Sequence, residues 1–465
     1  MSDPLALVPL AAAARGGRVD SHGAAELVAA GITLLQRCAP LVKALDGRRA
    51  AILLPTGPAF LTALAASDGR GAVFINPLAA PAEVAHQFAD ANVGAVFTIS
   101  ALEDKLPAGV ARVLLDEAPA RARARIGGQD RTVDLGTHFG LELAGADDTL
   151  GRDEEAAIVY TSAMAGTPLG AVLTHRNLLA NARATVEAAQ LDGSTVSLAI
   201  LPFAHLFGFT VTLMAPLLAG GRVITMARFN ALRAIDVIQG ENVSLLVGVP
   251  SVFAGLLAAV ERQGGHIAAP ALRVCICGGA PLSVELQERW HAATGVELRQ
   301  GYGLTEAAPV CLFNRLSAPN RVGMLGMHFP GVEVAIKDGE ICVRGENVFP
   351  GYVSSGEHGL RVEDGWLHTG DRGTIDAEGY VTFTGLTKDM FTRNGFNIYP
   401  KELERVVGAM PGVSRATVRA IPEPTRENAI ALEVAGAVTT DEVAQWCATR
   451  LSAYKQPNRI EISTR

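Results

Sequence analysis

The chain has 465 residues, more than one domain of ordinary size, which holds about 100–200. Hydrophobic residues make up 49% and charged residues 19%, which excludes an intrinsically disordered chain. Forty Lys+Arg against 47 Asp+Glu leave a formal charge of −7 with no basic run, which argues against a nucleic-acid partner.

The first residues, MSDPLALVPLAAAARGG, lack the basic-then-apolar pattern of a secretory signal, and a cytoplasmic protein is expected. Ala51–Leu54, Gly71–Ile75, Val93–Phe97, Ala199–Leu201 and Leu245–Val249 read as buried strands. Helical stretches are predicted over Gly57–Ser67, Pro81–Ala91, Asn177–Ala189 and Pro250–Arg262. The alternation predicts α/β layers with mostly parallel sheets. Leu201–Gly220 is long and apolar, but Pro202, His205, Gly208 and Pro216 interrupt it and no cation cluster flanks it, so it reads as buried rather than transmembrane. From about Val322 short strands predict a small, mostly antiparallel β unit: Val332–Lys337, Glu340–Arg344 and Gly379–Thr384. A compact α+β module beyond a polar hinge closes the chain. The expected division is a large domain over 1–387, in parts of roughly 1–150, 151–320 and 321–387, and a small domain over 388–465. Six cysteines (Cys38, Cys275, Cys277, Cys311, Cys342, Cys447) form no CxxC pair and no zinc spacing, so reduced thiols in a core are expected.

Four segments carry chemistry. Ile158-Val-Tyr-Thr-Ser-Ala-Met-Ala-Gly-Thr-Pro-Leu-Gly170 runs from a strand into small and hydroxylated residues and then toward a helix, a pattern that can cradle phosphate. Gly278-Gly-Ala-Pro281 follows an apolar strand and lets a flat ring approach the backbone. In Gly301-Tyr-Gly-Leu-Thr-Glu306 a tyrosine suited to stacking precedes a hydroxyl and a carboxylate suited to Mg²⁺ and phosphate oxygens. Gly365-Trp-Leu-His-Thr-Gly-Asp-Arg-Gly373 holds a carboxylate, expected in a tight turn, that suits paired ribose hydroxyls. Each alone is equally well a plain turn.

In this order, and with Gly385-Leu-Thr-Lys-Asp389, Gly395-Phe-Asn397, Gly345-Glu-Asn-Val-Phe-Pro-Gly-Tyr352 and Tyr454-Lys-Gln-Pro457, the chain resembles the adenylate-forming superfamily over nearly its whole length. The resemblance implies an acyl-CoA-synthetase-like enzyme. Such an enzyme activates a carboxylic acid with ATP and Mg²⁺, rotates its small domain, and passes the acyl group to coenzyme A or a carrier-bound thiol. It further implies nucleotide contacts from Thr161, Ser162, Gly166, Thr167, Gly278, Gly279, Ala280, Tyr302, Gly303, Thr305 and Asp371. Tyr302 would stack on adenine, Asp371 would hold the ribose, and Glu306 would hold Mg²⁺. Catalytic roles fall to Thr305, Glu306 and His205, and an acyl pocket to His205, Phe207, Gly208, Val249 and Gly303. Lys388 and Asp389 would form the hinge, and Gly395 and Phe396 the CoA tunnel.

The chain also departs from the pattern. Where the family's phosphate loop reads Thr-Ser-Gly-Thr-Thr-Gly-x-Pro-Lys-Gly, this chain has Ala163, Met164, Ala165 and Leu169 in place of a glycine, two hydroxyls and a lysine. Leu386 and Thr392 stand where an arginine and a lysine are usual, and Arg465 precedes the usual catalytic lysine. Weak adenylation with adenosine recognition retained is therefore expected on a fatty, aryl or other apolar acid. The alternatives are a non-catalytic binder of nucleotide, acyl-adenylate or a partner, and a divergent ligase that uses another nucleophile.

Overall fold

The computed structural model describes residues 9, 12–13, 15–67, 71–136, 153–161, 168–267, 269–354, 359–386, 389–423 and 427–463. Strands that are almost wholly apolar are buried on both faces, as parallel sheets between helices require: Val93–Thr98 and Val274–Cys277 are buried at every position. Two nine-stranded sheets result. In one, Glu155–Thr161, Ala72–Phe74, Arg49–Ile52, Val93–Thr98 and Ala111–Leu114 lie side by side and parallel. In the other, Arg222–Thr225, Val196–Ala199, Leu245–Gly248, Val274–Cys277 and Leu298–Gly303 do the same. Arg18–Val19 pairs beyond Arg222–Thr225, and Gly351–Tyr352 pairs on the edge of the first sheet, so strands distant in sequence share each sheet.

Helix starts follow local chemistry. Pro250 opens Pro250–Arg262, and Pro81 opens Pro81–Asp90, where the Ala80 N–H donates to Glu83 Oε2 at 2.8 Å. Thr174 and Asn177 cap His175–Ala188 reciprocally. The apolar stretch Leu201–Gly220 is a packed interior segment, π-helical over Phe207–Met214 and α-helical over Ala215–Leu218. Among the described residues no helix is long and apolar enough to cross a membrane.

Val332–Lys337, Glu340–Gly345, Val362–Glu363, Trp366–Ile375 and Val381–Leu386 form an antiparallel sheet. The last part of the chain packs Pro400–Gly408 and Thr440–Arg450 on strands Val413–Glu423, Glu427–Gly436 and Arg459–Ser463. It has its own apolar core, which includes Leu403, Val407, Ile430, Leu432, Val443 and Cys447. The fold is thus the expected one: a large α/β part with parallel sheets, a small β unit and a small C-terminal α+β domain. All six cysteines are free and buried.

Two local expectations need correction. No helix follows the phosphate-loop segment directly: Leu169–Thr174 returns antiparallel to Glu155–Thr161, so the loop joins two strands, and the helix begins only at His175. Asp371 sits in the middle of the long strand Trp366–Ile375 rather than in a tight turn. Gly370, at φ +72°, supplies only a local kink there.

Candidate active site

The carboxyl end of Leu298–Gly303 lies at the edge of the parallel run, where a layered α/β fold places its ligand crevice. A cavity of about 960 Å³ opens there, and Tyr302, Gly303, Thr305 and Glu306 line it. The Tyr302 hydroxyl donates to Asp371 Oδ2 at 2.6 Å, which joins the second sheet to the antiparallel unit. Burial and the neighbouring Asp371 push the Tyr302 phenol well above its ordinary range, so it stays a donor. The strand pairing slips between Tyr302 and Gly303, and glycine fits there because its backbone lies against the Pro309 carbonyl, where a Cβ would overlap.

Glu306 is buried in the short turn Thr305–Ala307. Its Oε1 accepts the Tyr352 hydroxyl at 2.8 Å and the Thr161 hydroxyl at 3.5 Å. Burial and Glu306 raise the Tyr352 phenol, so that contact is a neutral donor on a carboxylate. Nothing among the described residues donates to Oε2. A buried carboxylate that lines a cavity, with one oxygen held by hydroxyls, fits a hard divalent cation such as Mg²⁺.

His205 precedes the π-helical segment, and its Nδ1 accepts the Phe207 N–H at 3.3 Å. That fixes the tautomer, with the proton on Nε2. Desolvation by burial lowers its pKa to about 4, so near neutral pH the imidazole offers an uncharged N–H. Its ring meets Phe396 edge-on at 6.5 Å, and Phe396 stacks on Tyr454 at 4.1 Å. Phe396 follows the turn Asn394-Gly395 of the C-terminal domain. Gly395 adopts φ +76°, and its Cα lies so close to Val249 that a Cβ would overlap the valine.

The structure brings Thr161, His205, Phe207, Gly278, Gly279, Ala280, Tyr302, Gly303, Thr305, Glu306, Asp371, Gly395 and Phe396 onto one cavity. Two expected pocket residues do not line it. Gly208 is packed inside the π-helical segment against the Pro202 carbonyl, and Val249 lies beneath the Gly395 turn. Asp389 also stands off the cavity. Ser162, Gly166, Thr167 and Lys388 lie outside the described residues. Tyr352 was not expected as a partner of Glu306; the one signal for it is its place at the end of Gly345–Tyr352, far from Glu306 in sequence. The contact of Glu83 with Lys455 went unread for the same reason, the two being 372 positions apart.

The charge of the lining is asymmetric. Among the described residues, Arg405, Arg450 and Lys455 are the Lys and Arg side chains that line the cavity, all from the C-terminal domain. Leu169 and Leu386 line it, and Leu386 pairs in register with Asp371. Arg176 and Arg393 are engaged elsewhere: Arg176 with Asp153 and Glu346, Arg393 with the carbonyls of Tyr454 and Gln456.

The sequence matches the AMP-binding enzyme family over residues 41–353. It is 31% identical to a feruloyl-CoA synthase of an Amycolatopsis species over 443 residues, which is 90% of this chain and 85% of that protein. A malonyl-CoA ligase in a ternary product complex with methylmalonyl-CoA and AMP superposes with a TM-score of 0.79 at 28% identity, covering 99% of both chains. ATP-bound MatB from Rhodopseudomonas palustris superposes with a TM-score of 0.66 at 27% identity, covering 97% of this chain and 92% of that one. The chain belongs to the AMP-binding enzyme family of the adenylate-forming superfamily, and its class is that of the AMP-forming acid–CoA ligases.

Proposed function

We propose that the protein activates an apolar organic acid, fatty or aryl, as its adenylate and hands the acyl group to a thiol, coenzyme A or a carrier-bound one. The observation that carries this reading is the sharing of one cavity by the Tyr302–Asp371 pair, the buried Glu306, His205 and the Gly395 turn of the small domain. Tyr302 and Asp371 would hold adenine and ribose. Thr161 and Thr305 would take phosphate oxygens, and Glu306 would hold Mg²⁺, which when bound neutralises phosphate charge. His205 would donate its neutral Nε2–H to the reacting carboxyl oxygen. The polar segment at Asp389 would be the hinge between 1–387 and 388–465.

The acid's chemistry follows from what lines the cavity. Phe207, Val211, Val310 and Phe313 contribute apolar walls, and no Lys or Arg of the large domain is present among the described lining residues to pair a second carboxylate. That supports a monocarboxylic apolar acid over a dicarboxylate or an amino-acid zwitterion. A cytoplasmic setting accords with six free, buried thiols.

Leu169 and Leu386, at positions where cations are usual, support slow adenylation. A charge-assisted hydrogen bond contributes roughly 1.5–3 kcal/mol, and each 1.36 kcal/mol is about tenfold in rate. The same two residues favour a second reading, a nucleotide- or adenylate-binding protein without turnover. Acid-dependent pyrophosphate exchange over ferulate, palmitate and malonate separates the two. Exchange with ferulate or palmitate above the acid-free blank supports the ligase; no exchange with any acid supports the binder.

A further inference from the structure

We propose that Glu83 is a positioning residue for thioester formation: it latches the C-terminal domain in the arrangement seen here and must release it for acid activation. The inference rests on the two-step ligase reading above. Glu83 stands in the first turn of Pro81–Asp90, on the large domain. Its Oε1 accepts Lys455 Nζ at 2.9 Å and its Oε2 accepts the Ser452 hydroxyl, so both oxygens reach across to the C-terminal domain. Lys455 Nζ also lies 2.6 Å from Glu402 Oε1, within its own domain. The side chains of Lys455, Glu83 and Glu402 are only 4%, 11% and 3% exposed.

The charge count identifies the removable member. One ammonium serves two buried carboxylates, and Glu402 Oε2 has no hydrogen-bond partner among the described residues. Lys455 and Glu402 already pair within the small domain, so they hold their charges in balance without Glu83. Glu83 is the added anion that exists at this depth only while the domains are docked. A desolvated charge that keeps part of its pairing elsewhere makes a contact that holds one arrangement and can still open.

Two further observations tie the docked arrangement to the thiol step. The Gly395 turn lies on Val249, and Phe396 meets His205, so the small domain covers the reacting end of the cavity. The chain also superposes better on the CoA-thioester product complex than on the ATP complex, at TM-scores of 0.79 and 0.66, although identity is nearly equal at 28% and 27%.

The test separates the half-reactions in the full chain. Synthetic feruloyl-adenylate mixed with coenzyme A reports thioester formation in a single turnover and bypasses activation; ferulate-dependent pyrophosphate exchange reports activation. Glu83→Gln keeps an acceptor for the Ala80 N–H but removes the bridging charge. It is expected to slow thioester formation at least about tenfold, to leave exchange within about twofold or raise it, and to increase the radius of gyration in small-angle scattering. Glu83→Asp, which keeps the charge on a shorter side chain and leaves the Lys455–Glu402 pair intact, is expected to lose less than Glu83→Gln. Equal slowing of both half-reactions, or unchanged thioester formation with unchanged scattering, overturns the latch. If the parent makes no thioester from the adenylate, the ligase reading falls and the scattering comparison alone decides the latch.

Discussion

Asp371 and His205 show how a few side chains set the conditions for the rest of the site. Asp371 takes the Tyr302 hydroxyl on one oxygen and sits opposite Leu386 in the strand pairing, so the two sheets meet at this carboxylate. Asp371→Asn is expected to weaken AMP binding by roughly 10–100-fold, the worth of a charge-assisted bond. Calorimetry checks this, and AMP should bind the parent at least as tightly as ATP. His205 makes a pH prediction. Its folded pKa of about 4 lies below the unfolded value near 6.5, so the unfolded chain takes up the proton first as pH falls. This contribution to stability is therefore full above pH about 6.5 and declines toward pH 4. Thermal midpoints of His205→Gln should fall less than the parent's between pH 7 and pH 4.5; parallel curves would contradict the burial of this imidazole.

At the scale of elements, the Asn394-Gly395 turn is the piece of the small domain that meets the large one at Val249. Gly395→Ala places a methyl inside the valine and strains a left-handed residue, a cost of about 1–3 kcal/mol for the strain alone. It is expected to slow thioester formation at least about tenfold while pyrophosphate exchange is retained, and equal rates would refute the contact. The elements that were legible in the sequence are those whose chemistry is local. Continuous apolar runs marked strands such as Val93–Thr98 because both faces are buried, and proline starts marked Pro81–Asp90 and Pro250–Arg262. The hairpin Arg121–Ile126 with Gln129–Asp134 was missed because one face is solvated and its charges hide the alternation. The Gly127-Gly128 turn, at φ +60° and +78°, was the signal available. Tyr302 and Asp371 could be named from their motifs, but their hydrogen bond spans 69 positions and follows only from the sheet pairing.

Across the whole molecule, the proposed adenosine contacts Tyr302 and Asp371 come from the large domain, while the lysine and arginine side chains among the described lining residues come from the small one. On the proposed reading, activation is the weak half-reaction and docking of the small domain completes the site. Asp389→Pro is expected to hinder rotation, slowing thioester formation while AMP binding stays unchanged by calorimetry. Restoring cations is the converse experiment: Leu169→Lys with Leu386→Arg should raise exchange by at least about tenfold. The measurement that bears most directly on the central claim is acid-dependent pyrophosphate exchange by the parent and this double variant, followed by addition of coenzyme A. Exchange with ferulate or palmitate, stronger in the variant, and conversion of the adenylate to a thioester are expected on the ligase reading. Absence of exchange in both proteins, each folded and binding AMP, would contradict it.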